Sequence, residues 1–407
     1  MSLLFRALCV TCLLAVATIT VAGSASTQVQ KALAAIEQGA EASHTDALLV
    51  MRGDEVLFES YASGVPEPIE LMSVTKSVVA LAIGALLSDG KLASLDMPVA
   101  DFYPEWRQGR KSAITVRMLM DHSSGIQNVP RPSEEIYSAP DVIKLALAAE
   151  LSHDPGAHWA YNNKAVNLLA GIILKASGMP MDSYIQQRLF APLSITQDGW
   201  YKDAAGNPHA MAGLSLTARD IAKIGHLVLA RGQFRAKSLI GPGYIDAMLA
   251  HSTLTPDVGL LWWRRPGGVH FRVDKESIAM LEGVNADPHM IDKLRPLQGR
   301  SFASQLDLYA VLAERLGAGW GEQWNRELIE PHGIGPWRPF HPEKKPVDTY
   351  EANGSFGQYL VIIPKASLVA VRQIKASPDT ERDSEYQDFT SRIQALAVAF
   401  AEAEKAP

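Results

Sequence analysis

Ser73 and Lys76 stand three residues apart in Leu71-Met72-Ser73-Val74-Thr75-Lys76-Ser77, and the apolar run Val78 to Leu87 follows them. A run that is apolar on every side reads as a helix buried in the middle of a domain. Residues three apart share a helix face, so Lys76 is placed beside Ser73 at the helix mouth. A serine hydroxyl is a poor nucleophile until a base takes its proton, and an amine held out of water can be that base. The free N–H groups of a helix N-terminus offer a site for a developing oxyanion. The same tetrapeptide also has a plain structural reading, since a serine at a helix start is usually a cap.

Two later stretches could complete this chemistry. Pro155-Gly156-Ala157-His158-Trp159-Ala160-Tyr161-Asn162-Asn163 is a turn and aromatic loop leading into a helix from Lys164. Tyr161 could hold or relay a proton there, and the Asn163 amide could orient a lysine and grip a carbonyl. Alone, the pair reads equally as a buried tyrosine tip and a turn asparagine. Tyr350-Glu351-Ala352-Asn353-Gly354-Ser355-Phe356-Gly357-Gln358 is rich in small residues beside a strand. Gly354 and Ser355 would let a substrate approach the backbone and take an N–H there. The plain alternative is a tight hairpin corner.

The elements that must position these residues follow from pattern. An alanine-rich helix is expected over Gln28 to Gly39, then strands over Ala47 to Arg52 and Val56 to Tyr61 joined at Gly53-Asp54. The Ser73 helix ends near Gly90, which suits a helix stop. Residues 95–206 are mostly helical in pattern, with strong helices over Asp141 to Glu150 and Lys164 to Ser177. Thr217 with Asp220 three residues on begins another. Gly259 to Arg265 reads as a strand. Gln358 to Ile363 and Leu368 to Val371 form a hairpin, and a long amphipathic helix from Asp379 to Lys405 closes the chain. Strands at both ends imply one sheet completed by both termini, with the middle helices inserted. The reading is therefore a leader at 1–25, an α/β domain from 26–94 and 207–407, and a helical domain at 95–206.

Composition narrows the function. The chain has 407 residues, 47% hydrophobic and 20% charged, with a net charge of −6 and no basic run. Nucleic-acid binding gains no support. Arg6 followed by the apolar stretch Ala7 to Ala22 and small residues to Ala25 reads as a secretory leader. The run is shorter than a typical membrane span of about 20 residues. Cys9 and Cys12, the only cysteines, lie inside it. A periplasmic or secreted, cysteine-free mature protein with no stable membrane anchor is expected. No His-Glu-x-x-His or comparable metal spacing occurs among the 11 histidines. Gly84 to Lys91 lacks the spacing of a phosphate loop. No cofactor and no metal are implied.

Taken together, Ser-x-x-Lys, Tyr-x-Asn and a Gly-rich turn before the last hairpin resemble the serine β-lactamase and penicillin-binding-protein superfamily, for which Ser-x-x-Lys is a known motif. The flanks are most similar to its class C and esterase branch. They include Leu95-Asp96-Met97-Pro98-Val99, Leu119-Met120-Asp121-His122-Ser123-Ser124-Gly125, and Gly213-Leu214-Ser215 leading to Arg219-Asp220. The resemblance covers about residues 40–263 and 349–400. It implies an α/β fold of the α+β type, a mainly antiparallel sheet flanked by helices plus an all-helical domain. It implies Ser73 as acylated nucleophile, Lys76 and Tyr161 as the proton-transfer pair, and Asn163 as the group orienting lysine and substrate. The Ser73 and Ser355 N–H groups, beside Gly354, would form the oxyanion hole.

Two departures matter. The family's third motif, Lys-Thr-Gly or His-Thr-Gly, is replaced by Ala352-Asn353-Gly354-Ser355. That lysine helps β-lactamases bind the antibiotic's carboxylate, so its loss favours a small ester or amide as substrate, as in enzymes resembling 6-aminohexanoate-dimer hydrolase. Residues 266–347 have no recognisable counterpart in the resemblance and are read either as a lid or wall of the pocket or as an outer decoration. The expected function is a serine hydrolase working through an acyl-enzyme. The alternatives are a β-lactamase-type enzyme and a penicillin-binding or sensor protein without turnover.

Overall fold

The computed structural model describes residues 27–129, 131–196, 199–303, 305–317, 319–375, 386 and 388–405. The expected leader and the expected start of the last helix at Asp379 lie outside them. Helix α1 (Thr27–Ala42) leads into strands β1 (Ala47–Arg52) and β2 (Glu55–Tyr61), which form the expected hairpin. Gly53 turns it with φ of 54°, a left-handed conformation that favours glycine. A short strand β3 (Ile69–Glu70) precedes α2 (Val74–Ser88). Every residue of α2 from Val74 to Leu86 is buried. Each such Val, Leu or Ile contributes about 1.5–3 kcal/mol by leaving water, which holds the helix where its polar ends could not.

The helical region is built by side-chain caps. Thr115 accepts the Met118 N–H at the start of α3 (Val116–Met120), and Asp141 accepts from Ile143 and Lys144 at α4 (Val142–Ala148). Asn162, one residue before the asparagine singled out above, accepts the Ala165 N–H at α5 (Asn163–Ser177). Asn163 is therefore the first helical residue and not a loop residue. Strands β4 (Gly199–Trp200) and β5 (Leu214–Leu216) pair with β3 in a small sheet of order β3-β5-β4. Thr217 caps α6 (Ala218–Leu229) by accepting the Asp220 N–H.

Strand β6 begins at Trp263 and runs to Pro266. The strand expected from Gly259 starts late because Leu261 is left-handed, φ 59°, and the stretch before it is tied to α3 through the Leu261 N–H and the Met120 carbonyl. Residues 267–346 then form a body with its own core. It contains β7 (Val269–Arg272), α7 (Lys275–Gly283), α8 (Pro288–Leu294), β8 (Ser301–Phe302), α9 (Gln305–Leu316) and β9 (Glu343–Lys344). Phe271, Leu281, Leu294, Leu312, Trp324 and Phe340 are buried together within it. The chain returns through β10 (Val347–Gly354), β11 (Gln358–Ile363), β12 (Leu368–Gln373) and α10 (Phe389–Ala403).

The main sheet is antiparallel, of order β2-β1-β12-β11-β10-β6. Ala47 pairs with Gln373 and Arg52 with Leu368, so both ends of the chain share the sheet as expected. Leu48, Val50, Leu368 and Ala370 face α1 and α10. Leu49, Val369 and Val371 face the core of α2, α6 and the helical region. Covering both faces explains why these strands read as continuous apolar runs. The architecture is the α+β arrangement implied by the resemblance. Since Val347 pairs with Pro266, the inserted body is an enlarged hairpin connection at the sheet's outer edge.

Candidate active site

Ser73 sits at the entrance of α2, directly after Met72, whose φ of 47° is a left-handed conformation costly for a side chain with a Cβ. Although Ser73 occupies the cap position, its side chain makes no capping hydrogen bond. Its Oγ instead lies 2.8 Å from Lys76 Nζ, and Tyr161 Oη donates to it at 3.0 Å. The structural reading of Ser73 as a cap therefore fails on geometry.

Lys76 is 3% exposed. Burial holds its amine below the usual lysine range, with the neighbouring Tyr161 acting in the opposite sense. Its Nζ also donates to the Met211 carbonyl at 2.7 Å. Tyr161 is held by packing. Its ring lies 4.6 Å from the ring of His122 and stacks on Trp263 at 6.3 Å and 12°. His122 is buried, and its Nδ1 accepts the Asn162 N–H at 3.1 Å, so the ring proton belongs on Nε2. Burial, with the Lys76 amine adding to it when protonated, pushes the His122 pKa down to about 3, so the ring is neutral.

The cleft over Ser73 is narrow, about 10 Å³, and is lined by Ser73, Lys76, His122, Tyr161, Trp263 and Asn353 among others. On its sheet side Gly354 has an extended backbone, φ −141°, so its glycine is not required by conformation. It is required by space. A Cβ there would lie 2.6 Å from the Leu71 carbonyl oxygen and 2.8 Å from Ser73 N. This contact brings the end of β10, and Ser355 after it, against the helix mouth. Next to it, Asn353 donates to Glu351 at 3.0 Å, and the buried Glu351 also takes Arg265 and the Thr390 hydroxyl.

The structure thus brings Ser73, Lys76, Tyr161 and Gly354 together from three separate stretches of chain. Asn163 is buried at the head of α5, and its Oδ1 has no hydrogen-bond partner among the described residues. The hydrogen bonds of Lys76 go to Ser73 and Met211. The residues that sequence reasoning missed are His122, Met211, Trp263 and Asn353. His122 stood in a noted motif and carried a signal. Met211 acts through its carbonyl, which any residue type supplies, and so carried none.

The insertion contributes no residue to the lining of the Ser73 cleft. It walls a larger cavity of about 600 Å³, with Val269, Ala303 and Lys345 facing Arg265, Glu351 and Gln394. Asn353 is shared by that cavity and the cleft. No group of three or more His, Cys, Asp or Glu that could hold a metal ion occurs among the described residues, and no helix among them is long and apolar enough to cross a membrane.

A family model described as beta-lactamase matches residues 33–390. The 6-aminohexanoate-dimer hydrolase of Paenarthrobacter ureafaciens is 27% identical over 234 residues, covering 53% of this chain and 59% of that protein. Esterase EstB of Burkholderia gladioli is 28% identical over 149 residues, 32% of this chain and 38% of its own length. The chain therefore matches only part of the length of these relatives. Among solved structures, a putative beta-lactamase from Bacteroides dorei DSM 17855 superimposes with a TM-score of 0.61 at 18% identity, over 91% of this chain and 98% of that one. At that identity the likeness is one of fold.

Proposed function

The chain belongs to the β-lactamase family, and we propose that within it this protein is an esterase or amidase that works through an acyl-enzyme on Ser73. The observation that carries this reading is the convergence of Lys76 Nζ and Tyr161 Oη on a Ser73 Oγ that is not used as a helix cap. Two of its relatives are named a 6-aminohexanoate-dimer hydrolase and an esterase.

In the proposed reaction Ser73 Oγ attacks the substrate carbonyl while its proton passes to the neutral Lys76 amine. The new C–O⁻ is met by the Ser73 and Ser355 N–H groups at the helix mouth. The C–O or C–N bond then breaks, and the leaving group takes a proton from Lys76 through Tyr161. Water repeats the sequence on the acyl-enzyme, releasing the acid and restoring Ser73. Asn163 Oδ1, buried without a donor, is the acceptor for Lys76 once it is charged or for a substrate N–H. Ala352, where the family's third motif would have lysine, is buried and apolar, which disfavours a β-lactam carboxylate. The leader read from residues 1–25 supports action in the periplasm or outside the cell, on a small molecule.

Intact mass after exposure to a fluorophosphonate tests the reading. One phosphonyl adduct is expected, absent in Ser73→Ala and formed about 10²–10⁴ times more slowly in Lys76→Ala and Tyr161→Phe. Steady p-nitrophenyl ester turnover without a lasting β-lactam adduct completes it. Undiminished turnover in Ser73→Ala would refute the acyl-enzyme, and a long-lived β-lactam adduct would establish a penicillin-binding or sensor role.

A further inference from the structure

The cleft at Ser73 is small, about 10 Å³, so the groups flanking a substrate's reacting carbonyl have to be met beyond it. One group close by in the chain has a definite chemistry. Glu70 is on β3, three residues before the nucleophile, and pairs with Ser215. Its carboxylate is partly buried, and the donor that reaches it is the Gly213 N–H. No ion pair of Glu70 occurs among the described residues, and burial raises its pKa. A carboxylate drawn out of water without a cation is unfavourable, and a bound cation would relieve it.

Two tyrosines stand near this charge. The Tyr201 N–H donates to the Gly213 carbonyl at 2.9 Å, and a Cβ on Gly213 would lie 2.7 Å from Tyr201 Cβ, so Tyr201 stands against the peptide that holds Glu70. Tyr137 and Tyr201 meet edge to face at 6.0 Å, and both remain open to solvent, 37% and 48% exposed. His209 lies beneath them, fully buried, stacked on Tyr137 at 5.8 Å and edge-on to Tyr201 at 4.8 Å. Burial keeps its imidazole below the usual histidine range, so it serves as a neutral aromatic floor. Met211, whose carbonyl takes the Lys76 amine, stands two residues before Gly213, so the segment that holds Glu70 also reaches the Ser73 cleft. After burial, the charge on Glu70 is what most disfavours ionisation of Tyr137.

We infer that Glu70, Tyr137 and Tyr201 form a subsite for an organic cation, a primary or quaternary ammonium group carried by the substrate on one side of the bond that Ser73 attacks. Ring faces and a half-desolvated carboxylate attract the same ligand, the first through their quadrupoles and the second through its charge. The inference rests on the proposed hydrolase reading for the word substrate. The cation site itself is testable without it.

The test uses two p-nitrophenyl esters, one of γ-trimethylammonio-butanoic acid and one of its isostere with carbon in place of the quaternary nitrogen. At low ionic strength the unaltered protein should prefer the cationic ester about tenfold in kcat/KM. That ratio should fall towards parity in Glu70→Gln and decline in Tyr137→Ala and Tyr201→Ala, each checked for folding by circular dichroism. Parity in the unaltered protein, or a ratio untouched by all three changes, overturns the subsite. Saturation-transfer NMR of tetramethylammonium on Ser73→Ala reads binding without turnover. A transfer signal that Glu70→Gln or Tyr137→Ala abolishes supports the subsite even if neither ester is hydrolysed, in which case only the hydrolase reading falls. No signal, with sodium as the control cation, overturns the subsite even if esters are turned over.

Discussion

At Ser73 the hydroxyl lies between an amine and a phenol, and whether the amine can take its proton depends on burial. Lys76 is enclosed, its charged form is disfavoured, and its pKa lies below the usual lysine value. The sign follows directly. Below that pKa Lys76 is charged and cannot accept a proton; above it the amine is a base. The rate of fluorophosphonate labelling should therefore rise with pH along a limb centred below about 10.4, the ordinary lysine value, and level off above it. Lys76→Ala should remove the limb together with the rate. Stopped-flow labelling across pH checks this, and a limb centred at or above the ordinary lysine value would show that burial does not activate the amine.

Elements bring these groups within reach, and their termini matter more than their middles. The entrance to α2 is shaped by a left-handed Met72 and closed by Gly354 from β10. Both the nucleophile and the proposed oxyanion site depend on that approach. Gly354→Val would place carbon atoms inside contact distance of Leu71 O and Ser73 N. It is expected to cost about 1–3 kcal/mol of stability as overpacking and to slow Ser73 labelling by at least about tenfold. Thermal unfolding and labelling kinetics measured on the same sample decide it. Labelling at the original rate would mean that the strand end plays no part in the site. The α5 terminus shows how local chemistry sorts neighbours: Asn162 is the cap, and Asn163 is left with a buried, unpartnered Oδ1.

At the scale of the whole molecule, one of three buried apolar clusters among the described residues lies wholly within residues 271–340. Residues 267–346 leave and re-enter the sheet at paired positions, Pro266 and Val347, and bury their own apolar side chains. Trp324 is fully buried there, with its indole N–H donating to the Ile334 carbonyl. Trp324→Ala should cost that body about 3–5 kcal/mol. Hydrogen exchange should then rise across residues 269–340 while β1, β11 and β12 keep their protection and Ser73 is still labelled. Equal loss of protection in the sheet would show that this body and the sheet fold as one unit.

The sequence by itself determined the Ser73 helix and both terminal hairpins, because each has a local signature, an all-apolar run or a turn between alternating strands, and it singled out Ser73, Lys76 and Tyr161 by motifs with fixed spacing. It also singled out residues 266–347 as a stretch without the family's recognisable patterning. Other features were decided only by the tertiary structure. Lys76 has a lowered pKa because side chains from distant segments exclude water from it. Met211 contributes a carbonyl, and Gly354 contributes the absence of a side chain at a crossing of two elements, so neither role is written in residue type alone. The cluster of Glu70, Tyr137, Tyr201 and His209 comes from four separate stretches of chain, and no spacing along the sequence could have announced it.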